Sequence, residues 1–226
     1  MRQISVVEDP GAAVAERLTA VAEQGGHIVL TGGSTPRDAY AMAAERDADW
    51  SRATVWFSDE RCVPPDDQNS NFGMADQALL SRLSRPPRVM RIQGELGFEA
   101  AAGAYDALLR EHLGPLPRFD YLLLGVGPDG HIASLFPGKP ELEETQRLAA
   151  PVPIAGMEPQ VPRVTLTFPV INAGREVVVL VAGEDKAQAV ARGFGEPPDP
   201  EAPAAHVRPE DGSLLVLLDE GAASAL

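Results

Sequence analysis

FDYLLLGVGPDGHIASLFPG, residues 119–138, is the stretch that decides how this chain is read. The run Tyr121-Leu122-Leu123-Leu124 shows no polar alternation, so it predicts a strand covered on both faces. It stops at a glycine-rich turn that carries Asp129 and His131. A carboxylate and an imidazole two residues apart, just past a buried strand, mark a place for chemistry, because open α/β sheets hold their ligands beyond the carboxyl ends of their strands.

The rest of the chain repeats this alternation of strand and helix. Strands are predicted at 27–30, 54–57, 163–168, 176–181 and 214–218, in addition to 119–124. Helices are predicted at 10–22, 36–46, 74–83, 98–113 and 185–192. The Pro-rich stretch 137–162 reads as connection, and 193–213 as a surface loop. The expected fold is therefore α/β, an open, mostly parallel twisted sheet with helices on both faces (Rossmann-like). No boundary divides it, so residues 1–226 are expected to form one domain.

Composition limits the function. The formal net charge is −14, a surface that repels nucleic acid and anionic membranes. A small anionic ligand is still compatible with a locally positive pocket. No apolar run approaches the roughly 18 residues a membrane helix needs, and MRQISVVEDPG at the start lacks the apolar core of a signal peptide, so a cytoplasmic protein is expected. The single cysteine, Cys62, allows no internal disulfide, and its neighbour Arg61 would lower its pKa. There is no zinc spacing of Cys and His, so no metal is expected. Lys139 and Lys186 are the only lysines among 19 basic residues, which draws notice to both.

Four segments follow predicted strands and carry candidate site residues. Thr31-Gly32-Gly33-Ser34-Thr35-Pro36 reads as a turn into a helix, with Thr35 as cap and Pro36 as first helical residue. Its glycines and the helix N-terminus suit a phosphate. Ser58-Asp59-Glu60-Arg61 ends the second predicted strand, and Arg61 can hold an anion or a developing oxyanion. Asn69, Ser70 and Asn71 follow in a loop and can bond sugar hydroxyls. Gly125, Gly127 and Gly130 satisfy G-x-G-x-x-G, but Pro128 inside the turn and Pro137 just after it argue against a dinucleotide site. His131 is the candidate general base, with Asp129 either supporting its ring or serving the turn. Lys186, opening a helix after the 176–181 strand, and Arg163, opening a strand, are further candidates for anion contact.

Together, TGGSTP (31–36), FSDERCVPPDDQNSN (57–71), LLLGVGPDGHIASLFPG (122–138), PRVTLTFPVIN (162–172), GEDKAQAV (183–190) and VRPEDGSLLVLLDEGAA (207–223) resemble the glucosamine-6-phosphate isomerase/6-phosphogluconolactonase family. Deaminases of this family resemble DGHIAFNEP after the turn, with a glutamate where this chain has Phe136, and carry Asp-Glu-Tyr where this chain has Asp59-Glu60-Arg61. Both departures favour the lactonase branch. The resemblance implies hydrolysis of 6-phospho-D-glucono-1,5-lactone in the oxidative pentose phosphate pathway, with no cofactor and no metal. It implies His131, Asp129 and Arg61 as catalytic residues. Gly32, Gly33, Ser34, Thr35, Asp59, Arg163 and Lys186 would bind the substrate and its phosphate. The expected partner is thus a phosphorylated sugar lactone, bound by a monomer or weak homo-oligomer.

Overall fold

The apolar runs form the centre of a seven-stranded sheet in the computed structural model, which describes residues 2–226. In chain order the strands are β1 (Arg2–Val6), β2 (His27–Leu30), β3 (Thr54–Phe57), β4 (Asp59–Arg61), β5 (Arg88–Val89), β6 (Tyr121–Leu124), β7 (Ala149–Val152), β8 (Arg163–Leu166), β9 (Glu176–Val181) and β10 (Ser213–Leu218). The helices are α1 (Pro10–Glu23), α2 (Ser34–Ala44), α3 (Asn71–Ala78), α4 (Phe98–Leu113), α5 (Phe168–Asn172), α6 (Ala187–Phe194) and α7 (Glu220–Ala223).

The large sheet runs β1-β10-β9-β6-β2-β3-β5, and every neighbouring pair is parallel. Strand β2 has β3 on one side and β6 on the other, so the connections leaving β2 and β6 diverge and open a crevice at their carboxyl ends. Covering on both faces is visible in one dipeptide. Trp56 lies against Tyr105 and His112 of α4, while its neighbour Phe57 meets Phe72 of α3. Successive strand residues point to opposite faces, so α3 and α4 lie on opposite sides.

Two buried tyrosines complete backbone bonding where the ladder stops. Strand β5 pairs only with Thr54 and Val55 of β3. The outward groups of Phe57 therefore find no strand, and Tyr105 Oη accepts from Phe57 N (2.9 Å) and donates to Phe57 O (3.0 Å). Tyr40 does the same for Thr31, at 2.8 Å each way, just past the end of β2.

A second sheet, β4-β8-β7, is antiparallel and departs from the sequence reading. The pivot is Ser58. Its N–H still bonds Leu30 O of β2 (2.8 Å), while its carbonyl accepts from Leu166 N of β8 (2.7 Å). The chain thus passes from the large sheet to the small one in a single residue, and β7 arises in the stretch read as Pro-rich connection. The helix expected at 74–83 begins instead at Asn71, capped by Ser70, and breaks at Leu79. The 193–213 stretch contains a buried turn, Pro203–His206, rather than surface loop alone. Among the described residues no helix is long and apolar enough to cross a membrane.

Candidate active site

The connections after β2, β3, β6 and β9 converge with β8 on one cleft of about 190 Å³. Its lining includes Gly32, Gly33, Asp59, Arg61, Asn71, Gly127, His131, Arg163 and Lys186. All four connections leave strands that are consecutive in the large sheet, β9-β6-β2-β3, and Arg163 reaches the cleft from the small one.

His131 is held on several sides. Its Nδ1 lies 2.6 Å from Asp129 Oδ1, and its main-chain N–H donates to the same oxygen at 3.2 Å. Asp129 therefore serves both the ring and the turn, the two roles that the sequence left open. A Cβ on Gly127 would overlap the imidazole at Nδ1, so only glycine allows the ring to lie there. A carboxylate at Nδ1 favours the tautomer with the proton on Nδ1, in which the neutral ring has its lone pair on Nε2, as a general base requires. The His131 side chain is 12% exposed. Burial alone would raise the Asp129 carboxyl, but the hydrogen bond and charge of His131 outweigh it and hold it below the usual carboxylate range. Asp129 itself lies behind His131 and does not line the cleft. Its carbonyl accepts from Arg192 of α6 (3.3 Å), and Gly130 O accepts from Ala204 N (2.9 Å), so the Asp129–His131 turn is tied to α6 and to the 193–213 stretch.

Beyond His131 the chain turns sharply. Ala133 has φ 52° in the left-handed region, which costs a non-glycine residue of order 1 kcal/mol. The turn is held by Ser134, whose Oγ donates to Asp59 Oδ2 (2.7 Å) and whose N–H donates to Thr165 Oγ1 (3.1 Å). The other Asp59 oxygen receives Asn71 Nδ2 (3.3 Å), with Ser58 Oγ 2.9 Å away. Asp59 is thus a buried junction between the tips of β2, β3 and β8 and the His131 loop. Nothing in the sequence singled out Ser134, because its partner lies 75 residues away. Glu60 points away from the cleft and accepts from the main-chain N–H groups of Arg61, Asn71 and Phe72 and from Ser70 Oγ. Burial pushes its carboxyl up against these four bonds.

Two arginines face the cleft with no carboxylate partner among the described residues. Arg61 Nη1 donates to Asn69 O (2.6 Å), and its buried Nε has no acceptor. Arg163 is only 2% exposed. One of its terminal nitrogens donates to Met157 O (3.2 Å) and Pro159 O (3.3 Å), and its Nε is also unmet. Burial lowers its pKa. A buried and a half-buried guanidinium, neither paired with a carboxylate, create a demand for an anion. Lys186 adds a third positive group, with only a long contact to Asp185 (3.9 Å).

The 31–36 turn differs in detail from the sequence reading. Gly33, at φ 113°, occupies the cap position, Ser34 begins α2, and no side chain caps it. Thr35 is therefore not the cap, nor Pro36 the first helical residue. Gly32 and Gly33 line the cleft, whereas Ser34 and Thr35 do not. Cys62 is also corrected. Burial and the nearby Glu60 push its thiol up to about 11, against the lowering expected from Arg61. Among the described residues no group of three or more His, Cys, Asp or Glu is placed to hold a metal ion.

Comparison with known proteins identifies the family. The sequence profile of the glucosamine-6-phosphate isomerases/6-phosphogluconolactonase family matches residues 3–216. A 6-phosphogluconolactonase of Streptomyces coelicolor is 43% identical over 214 residues, covering 88% of this chain and 81% of the relative. The human 6-phosphogluconolactonase is 43% identical over 189 residues, covering 82% and 73%. The solved structure of 6-phosphogluconolactonase from Trypanosoma brucei superposes with a TM-score of 0.87 at 29% identity, covering 100% of this chain and 99% of that one. With the match running through every strand tip that lines the cleft, the chain belongs to the glucosamine-6-phosphate isomerase/6-phosphogluconolactonase family.

Proposed function

We infer that the protein is a 6-phosphogluconolactonase, which hydrolyses 6-phospho-D-glucono-1,5-lactone to 6-phospho-D-gluconate. The observation that carries the reading is the juxtaposition in one cleft of a carboxylate-supported imidazole with two arginines, Arg163 buried and Arg61 half-buried, that have no carboxylate partner. The first suits activation of water, and the second suits a phosphorylated substrate.

In the reaction proposed, His131 Nε2 takes a proton from water as its oxygen attacks the C1 carbonyl of the lactone. Asp129 holds the ring in the correct tautomer and stabilises the imidazolium. The tetrahedral oxyanion is stabilised by Arg61. Its collapse breaks the bond from C1 to the ring oxygen, which recovers the proton from His131 and becomes a hydroxyl. The new carboxylic acid then releases a proton to solvent. The phosphate is assigned to Gly32, Gly33 and the uncapped start of α2, with Arg163 and Lys186; the helix dipole favours negative charge there. Asp59 positions these groups.

The test is a lactone assay with spontaneous hydrolysis subtracted, run beside an ammonia assay on glucosamine 6-phosphate. Acceleration of lactone decay without ammonia release is expected. Ammonia release at a comparable rate would make the protein a deaminase, and decay at the spontaneous rate would leave a sugar-phosphate-binding protein. Lys186→Ala is expected to raise KM for the phosphorylated lactone more than for the unphosphorylated one.

A further inference from the structure

Phe136 is 1% exposed, and its ring makes two contacts inside the site. Its centroid lies 4.7 Å from that of the His131 imidazole, with the planes tilted by 45°. The Arg163 guanidinium carbon lies over the same ring, 5.2 Å from the centroid. Neither contact is a consequence of sequence proximity alone. Between the two residues Ala133 adopts its left-handed conformation and Ser134 is anchored to Asp59, and the chain turns Phe136 back on His131. On its far side the ring is backed by Gly156, where any Cβ would overlap it.

We propose that Phe136 is a positioning residue that sets the base and the anion-binding arginine relative to one another, so that one aromatic ring fixes both halves of the site. The idea rests on the hydrolase reading above. Arg163 has no carboxylate to hold it; its contacts are two carbonyls and this π face. A desolvated guanidinium gains from the negative face of an aromatic ring, and an aliphatic side chain of similar bulk offers no such attraction. The same ring packs against His131 as well. Loss of the ring therefore loosens Arg163 and the imidazole together, while Asp129 and its hydrogen bond remain.

The experiment compares Phe136→Met and Phe136→Leu, which keep apolar bulk without a π face, with Phe136→Tyr, which keeps it. Each is assayed for kcat and KM on the phosphorylated lactone, with circular dichroism to establish folding. In the aliphatic variants KM is expected to rise at least fivefold and kcat to fall at least threefold, with Phe136→Tyr within threefold of wild type on both. Should Phe136→Leu fail to fold, Phe136→Met carries the comparison. Arg163→Gln is made alone and with Phe136→Met; the double variant is expected to have the KM of Arg163→Gln, since the ring acts on KM through the arginine. Folded aliphatic variants with wild-type constants, a Tyr variant as impaired as the Met variant, or KM effects that multiply in the double variant would each overturn the proposal. A wild type that fails to accelerate lactone decay would instead overturn the hydrolase reading.

Discussion

Replacing Asp129 by Asn tests how the base is supported. The substitution is nearly isosteric and removes the charge. Its consequence depends on which way the amide points, since an NH2 group facing Nδ1 would force the ring proton onto Nε2 and abolish the base. The structure decides this through a second donor. Asp129 Oδ1 accepts from both His131 Nδ1 and the His131 main-chain N–H. A main-chain N–H can only donate, so the amide oxygen is held in that position and the NH2 turned away. What is lost is charge assistance. A hydrogen bond to a charged group contributes about 1.5–3 kcal/mol, against about 0.5–1.5 for a neutral one. A deficit of about 1–2 kcal/mol corresponds to roughly a 5- to 30-fold fall in kcat. Asp129→Ala removes both bonds and is expected to fall further, by about a hundredfold, within the span general-base catalysis supplies. Proton release during hydrolysis, followed with an indicator after subtraction of the spontaneous rate, measures both. A loss beyond about a thousandfold in Asp129→Asn would show that the amide flips and the main-chain lock fails. A change of less than twofold would remove the carboxylate charge from the mechanism.

The pH dependence of stability has a definite sign at the same residue. The Asp129 carboxyl is held below its ordinary range, so its contribution is present above the unfolded value of about 3.9 and lost as pH falls through the lower folded one; the stability gap between wild type and Asp129→Asn should shrink below about pH 4 in urea titrations. Tyr105→Phe leaves the buried N–H and C=O of Phe57 unpaired, and at about 1–3 kcal/mol for each such group the denaturation midpoint should drop by the equivalent of about 2–6 kcal/mol with an unchanged m-value. Gly127→Ala places a methyl where the imidazole lies, and should cut kcat at least a hundredfold while circular dichroism stays native; wild-type kcat would mean the ring has room to move. Native Cys62, with its thiol near 11 rather than 9, should be alkylated by iodoacetamide about a hundredfold more slowly at neutral pH than in the unfolded chain, and equal rates would contradict its burial.

The sequence by itself determined the strands β2, β3, β9 and helix α4, the parallel α/β class, the family, and the place of His131 at a strand tip lining the cleft. These are local properties: an apolar run without alternation has one stable place, inside a sheet covered on both faces, and a motif is contiguous. The direction of each charged side chain was decided only by tertiary packing. Asp129 and Glu60 are both acids beside a motif residue, yet one supports the imidazole and the other binds main-chain N–H groups at the start of α3. Arg163 reaches the cleft from a small antiparallel sheet that exists because the chain pivots at Ser58. Ser134 and Phe136 are brought to the cleft through Asp59, His131 and Arg163. Asp59 and Arg163 are far away in sequence, and no local pattern encodes a contact whose energy comes from burying a charge or a ring beside groups that only the folded chain brings near.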